Sequence, residues 1–214
     1  GYYASSLNIM RQFMALTLVL MSYYEFGWMN KKKKAYIYIF LASLIHSSAI
    51  VIIPILLLYS IIYSQKMINR FFLQAFAVIT GVAVILSLEP LMKLVSDYGI
   101  KSYEQIMHSA GVETQVFSFS LLIKIVISCL YYFVRKRSTI NIEEAKRLRF
   151  LNYINIVSCF VSIGAGYFTL LSRLNLYFSV TSVVLLSNLI QHIRLNKKLL
   201  KIGICVIFFF YFVL

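Results

Sequence analysis

The chain has 214 residues, of which 61% are hydrophobic and 13% charged. Soluble domains run roughly 45–50% apolar and about 25% charged, so this composition points to a membrane protein, and two prolines with eight glycines exclude a disordered or fibrous chain. The net charge of +14 comes from short basic clusters set between long apolar runs; that is the pattern of cytoplasmic loops rather than of a nucleic-acid-binding surface.

In chain order the apolar runs are Leu7–Met29, Ala35–Tyr63, Phe71–Val95, Phe117–Val134, Phe150–Leu171, Leu174–His192 and a last one, Ile202–Leu214. A helix needs about 20 residues to cross the roughly 30 Å hydrocarbon core. The expected fold class is therefore all-α, a polytopic transmembrane helix bundle of about seven apolar segments. We expect one transmembrane domain over residues 1–214, truncated at both ends. The chain opens at Gly1 and closes inside a run too short to span.

The charges orient the segments. Basic residues cluster at Lys31–Lys34, at Lys66 and Arg70, at Arg135, Lys136, Arg137, Lys146, Arg147 and Arg149, and at Arg194, Lys197, Lys198 and Lys201. If every run crossed once, these clusters would fall on both sides, against the positive-inside rule. If Ala35–Tyr63 instead enters from the cytoplasm and returns to it, all four clusters lie inside. Only Arg11, Lys93, Lys101 and Arg173 are then outside, with Lys124 buried. Such a segment would turn near Ala49, and His46, Ser47 and Ser48 would form a polar apex about 18 Å above Lys34. A re-entrant backbone has to be buried in protein or line an aqueous cavity, so a polar apex suits it. The alternative is one long tilted helix bent near Pro54. Asn141 and Glu144, at cap spacing, predict a short interfacial helix in the third basic loop. The 19-residue stretch Asp97–Gln115 would be an exported loop.

Ionisable groups inside apolar runs are functional suspects: Arg11, Glu25, His46, Glu89, Lys124 and Arg173. Glu25, one turn from the lysine run, reads as a solvated interfacial carboxylate, and Lys124 can snorkel along its helix. Arg11 and Arg173 both sit at outer helix ends with polar company. Asn8 and Gln12 accompany Arg11, and Tyr177 lies four residues after Arg173 on the same helical face. Two guanidinium forks opening on one side suit a phosphate or diphosphate; anchoring of helix ends is the plainer alternative. His46 could accept a proton from a sugar hydroxyl. Glu89 is a rival carboxylate base, unless it only pairs with Lys93. Asn152, Asn155, Ser158, Ser162 and Gly166 form a small, polar stripe that reads as helix packing. Cys129, Cys159 and Cys205 read as apolar packing residues without metal-type spacing. No nucleotide-binding loop is present.

Three segments carry a family resemblance. Asn8-Ile-Met-Arg-Gln-Phe-Met-Ala15, the lysine run and Leu41–Ile50 followed by Pro54 resemble the EpsG-like membrane proteins of exopolysaccharide and O-antigen assembly, which are Wzy-type polymerases. Leu171-Ser-Arg-Leu-Asn-Leu-Tyr-Phe178 is similar to that family's second arginine motif. Leu185–Ile190 departs from the pattern by lacking a proline. The resemblance implies a multi-helix fold of the broad GT-C kind in the bacterial cytoplasmic membrane. It implies a glycosyltransferase moving a growing glycan from polyprenyl diphosphate onto another lipid-linked repeat unit without a nucleotide, and it makes Arg11, Gln12, His46, Arg173 and Tyr177 the favoured site. We expect Arg11, His46 and Arg173 to be catalytic and Gln12, Tyr177, Asn8 and Glu89 to bind substrate, with no cofactor, and with no metal because the sequence shows no metal-ligand cluster. The implied partners are polyprenyl-diphosphate-linked oligosaccharide, the lipid bilayer, and flippase and chain-length regulator proteins; nucleic acid is not among them. A glycan ligase of similar chemistry, a lipid-linked oligosaccharide flippase or secondary transporter, and a scaffold protein are the alternatives.

Overall fold

The computed structural model describes residues 2–64, 119–137, 140–165 and 169–192. These form α1 (Tyr2–Gly27), α2 (Lys32–Ile45), a 3-10 turn (Ser47–Val51), α3 (Ile52–Ser64), α4 (Phe119–Arg137), α5 (Ile142–Ala165) and α6 (Thr169–His192). The fold is all-helical among the described residues. Glu89, Lys93, Cys205, the loop Asp97–Gln115, the apolar runs Phe71–Val95 and Ile202–Leu214, and the second and fourth basic clusters lie outside them.

In α1 the buried residues Ala15, Leu16, Val19, Ser22, Tyr23 and Phe26 recur at helical spacing, while Met10, Phe13, Met14, Met21 and Tyr24 are exposed. Apolar side chains on the outer face of a helix mark contact with lipid rather than water. Between such helices lipid removes the hydrophobic driving force, and small residues that permit close packing take over. Ala15, Ala35 and Ala42 are fully buried where α1 and α2 meet. α1 ends at Gly27, where a β-carbon would stand 2.5 Å from the Phe150 ring, so the close approach of α1 to Phe150 requires glycine. Asn30 then reverses the chain with φ of 52°, a left-handed conformation that asparagine tolerates better than most residues.

The segment Ala35–Tyr63 goes in and comes back. Its helix stops at His46, whose extended backbone (φ −145°, ψ 108°) follows a last helical bond to Ala42 O of 2.8 Å. The 3-10 turn and α3 lead back, so that Tyr36 near the start and Tyr59 near the end both meet the Phe26 ring, with centroids 6.4 and 5.9 Å away. Lys32 and Tyr63 line one cavity at the same end of the fold. The break falls at His46 rather than at Pro54. Pro54 sits in the first turn of α3, where its missing N–H costs no helical bond.

Helices α4, α5 and α6 pack as an antiparallel trio beside this hairpin. His192 Nε2 meets Glu144 Oε1 at 3.0 Å, joining the end of α6 to the start of α5. The ends of α1, α3, α4 and α6 and the starts of α2 and α5 thus share one end of the molecule. Lys31–Lys34, Arg135, Lys136, Lys146, Arg147 and Arg149 all belong to that basic end. Asn141 and Glu144 do not open a separate interfacial helix: Asn141 O accepts from Ala145 N at 2.8 Å, and α5 runs unbroken for 24 residues. The apolar run Phe150–Leu171 is therefore shared between two helices, α6 starting at Thr169, five residues before the expected Leu174. Two stretches, Ile142–Ala165 and Leu174–His192, are long and apolar enough to cross a membrane among the described residues.

Candidate functional site

Helical rise sets the height of each candidate above the basic end. Counting from Lys32, His46 stands about 21 Å up; counting back from His192, Tyr177 stands about 22 Å up and Arg173 about 28 Å. Arg11, counted back from Gly27, stands about 24 Å up. The hairpin apex, Arg11 and Tyr177 therefore lie at about one level, and the 3-10 turn touches both α1 and α6. Arg11 is not at the end of its helix, as the sequence led us to expect, because α1 runs on past it to Tyr2.

At the apex three side chains converge. His46 Nδ1 lies 2.6 Å from Ser48 Oγ, Ser48 donates to Tyr177 Oη at 3.3 Å, and Tyr177 Oη lies 3.3 Å from His46 Nδ1. Which atom carries the proton of the 2.6 Å contact depends on the imidazole tautomer; a proton on Nδ1 would put the ring's lone pair on Nε2. His46 and Ser48 are half-buried, whereas Tyr177 is fully buried, its hydroxyl held by these two partners.

Arg11 continues the inward stripe of α1, one turn beyond Ala15 and two beyond Val19, but its side chain is exposed. It thus stands above the packed core at the level of the apex. Gln12 beside it is half-buried, and Asn8, one turn further out, is exposed. Arg173 belongs to α6, one turn above Tyr177; its side chain, like Glu89, lies outside the described residues. The structure thus brings His46 and Tyr177 into contact and sets Arg11 and Gln12 on the neighbouring helix at the same height.

Sequence reasoning missed Ser48 as a member of this group, although its place two residues after His46 in a polar apex was the available signal. It also missed a second cluster. Lys124 does not snorkel: it is 2% exposed, and its ammonium donates to Ser162 Oγ at 2.6 Å, Asn175 Oδ1 at 3.0 Å and Ser179 Oγ at 2.9 Å. Ser158 donates to the same Asn175 oxygen at 3.1 Å. Asn155 donates to Lys124 O at 2.9 Å and to Ser128 Oγ at 2.8 Å, and accepts from Ser182. Of the expected stripe, Asn155, Ser158 and Ser162 on α5 form a packing surface around a buried cation, Asn152 is also buried, and Gly166 lies outside the described residues. The matching stripe Asn175, Ser179, Ser182 on α6 was the legible sign, because two facing rows of acceptors need a donor. Glu25 is not fully solvated either; it is half-buried, with Oε2 enclosed and lacking a hydrogen-bond partner among the described residues. Cys129 and Cys159 are both free thiols, Cys129 exposed.

Among the described residues no three His, Cys, Asp or Glu side chains come together as a metal site. The apex brings an imidazole and two hydroxyls into mutual contact, with Arg11 at about the same height along α1. Compared with known protein families, residues 1–214 match the family model described as the EpsG family. No curated protein and no solved structure matches the chain.

Proposed function

The chain belongs to the EpsG family, and we propose that this exopolysaccharide-related membrane protein is a glycosyltransferase that polymerises polyprenyl-diphosphate-linked repeat units into exopolysaccharide or O-antigen. In this reading it is a multi-pass bundle of about seven apolar segments in the bacterial cytoplasmic membrane. The basic end faces the cytoplasm and the apex faces the opposite side. The observation that carries the proposal is the His46–Ser48–Tyr177 contact at the turn of a returning hairpin, level with Arg11 on the adjacent helix.

The proposed step is a substitution at an anomeric carbon. An acceptor sugar hydroxyl attacks that carbon of the growing glycan, and a new glycosidic C–O bond forms as the bond to the diphosphate oxygen breaks. His46 Nε2 takes the hydroxyl proton, while the polyprenyl diphosphate leaves with the bonding electrons. In this step Nδ1 carries its proton toward Ser48, the tautomer in which Nε2 is the base. Arg11 and Arg173 hold the diphosphate and offset the charge that develops on it, and Gln12 and Asn8 extend the polar lining. Tyr177 is here a positioning residue, since its hydroxyl is engaged by His46 and Ser48. Glu89 remains the carboxylate alternative for the base. Flippase and chain-length regulator proteins are the proposed partners.

A transporter would need intramembrane charge that its cargo can reach. Lys124 has all three donors filled by helix side chains, which favours a fixed structural cation. The deciding experiment is polymerisation of lipid-linked repeat units by the purified full-length protein and by His46→Ala. General-base loss lowers rates by about 10²–10⁴-fold. A folded His46→Ala protein that polymerises at the wild-type rate overturns the assignment of the base.

A further inference from the structure

At the basic end, about 20 Å from the apex by helical rise, lies a cavity of about 410 Å³. Ligand sites commonly measure about 300–1,000 Å³, so it can hold a small molecule or a head group. Three elements build it: the turn between α1 and α2, the end of α3, and the first two turns of α5.

Its floor is a set of mutually packed rings. Phe26 stacks on Phe150 at 5.4 Å, and Tyr59 meets Phe150 edge-on at 5.1 Å and Tyr63 at 4.4 Å. Its rim is charged: Lys32, Lys146 and Arg149 against the single carboxylate of Glu143. That carboxylate is already taken by Lys146 at 2.7 Å. Lys32 Nζ sits 5.9 Å over the Phe26 ring and Arg149 Cζ 5.4 Å over the Tyr63 ring; among the described residues neither is ion-paired with a carboxylate. Arg149 Nε is enclosed and has no hydrogen-bond partner among the described residues. The cavity is set before any ligand arrives. The left-handed Asn30 and the close approach of Gly27 to Phe150 fix the turn against α5.

A cationic rim over an aromatic floor, at the level where the apolar helices end, matches one chemistry. We propose that this cavity binds the phosphodiester head group of an anionic membrane lipid, with the phosphate between Lys32 and Arg149 and the glycerol and upper chain against the Phe26–Tyr59–Phe150 floor. Basic pockets between helices on the cytoplasmic side are suited to such head groups. A diffuse basic surface would attract anions without needing an aromatic wall or a guanidinium laid over a ring. This site stands on the described geometry alone and does not depend on the glycosyltransferase reading.

The protein carries its own reporter. Trp28 is the single tryptophan of the chain and lines the cavity. The full-length protein in neutral detergent is titrated with short-chain phosphatidylglycerol, with short-chain phosphatidylcholine and with inorganic phosphate, while Trp28 emission is followed. Phosphatidylglycerol is expected to give a saturable change, with phosphatidylcholine and inorganic phosphate at least about tenfold weaker. Arg149→Gln and, as a second variant, Lys32→Gln should each weaken the lipid by about tenfold, the loss of one charge-assisted contact. Lys33→Gln removes the same charge from an exposed residue outside the cavity lining and should shift binding by less than about twofold. The proposal is overturned if phosphatidylcholine binds equally, if inorganic phosphate alone reproduces the change, or if Lys33→Gln weakens binding as much as both cavity variants.

Discussion

Two polar clusters lie at about the same depth in this fold, and they are built on opposite principles. Around Lys124, three helices close on a cation whose every donor has an acceptor, within a surface that is 2% exposed. Around His46 the packing is looser: the imidazole and Ser48 are half-buried, and Nδ1 meets the Ser48 and Tyr177 hydroxyls. A charge at mid-membrane costs about 2.5–3.5 kcal/mol even on lenient scales, so it persists only if its bonds are complete. Lys124, the more demanding residue on paper as a cation inside an apolar run, is held as a structural group, whereas His46 sits half-buried at the turn of the hairpin.

Mutations can break this contrast. The largest effect is expected at the apex: His46→Ala should lower polymerisation by about 10²–10⁴-fold, with little change in thermal unfolding. Next is Arg11→Ala, for which about a 10²-fold loss in turnover is expected if Arg11 meets the leaving diphosphate. Arg11→Lys should recover only part of it, because a point charge replaces a planar fork. A rate unchanged in Arg11→Ala would reduce that arginine to an anchor of its helix.

The Lys124 cluster should answer differently. Membrane side-chain hydrogen bonds average about 0.6 kcal/mol each, so losing three in Lys124→Ala should cost about 2 kcal/mol of stability. Lys124→Met, which removes the charge and fills much of the space, should cost less and should keep polymerisation near wild type. Activity abolished in a folded Lys124→Met protein would show that the two clusters are not separable. At the apex again, Tyr177→Phe removes a hydroxyl that meets both His46 and Ser48 and is expected to lower the rate by about tenfold. A rate equal to wild type would mean that Tyr177 only packs.

Much of this was legible in the chain itself. The charge pattern foretold that Ala35–Tyr63 would return to its own side, because only that arrangement gathers the basic clusters. The ring contacts of Phe26 with both Tyr36 and Tyr59 agree with it. The break at His46 was foreseen near Ala49 on the polarity of three consecutive residues. The choice of Pro54 as an alternative bend failed because a proline in a first helical turn breaks nothing. Asn141 and Glu144 misled for a related reason. A cap marks where a helix begins but not how far it runs, and α5 continues from that cap into the bundle.

What the sequence by itself determined is what one-dimensional patterns carry: all-helical secondary structure, the membrane as solvent, the side on which charge collects, and the family. Those follow from run length, hydropathy and the cost of unpaired backbone in lipid, which are local or additive quantities. Only the tertiary structure decided which polar residues meet. Lys124 and Asn175 are 51 positions apart, and His46 and Tyr177 are 131, so no spacing rule links them. Their pairing depends on the rotation of α4 and α6 about their axes and on the angle at which the hairpin inserts, and those are fixed by side-chain packing across several helices at once.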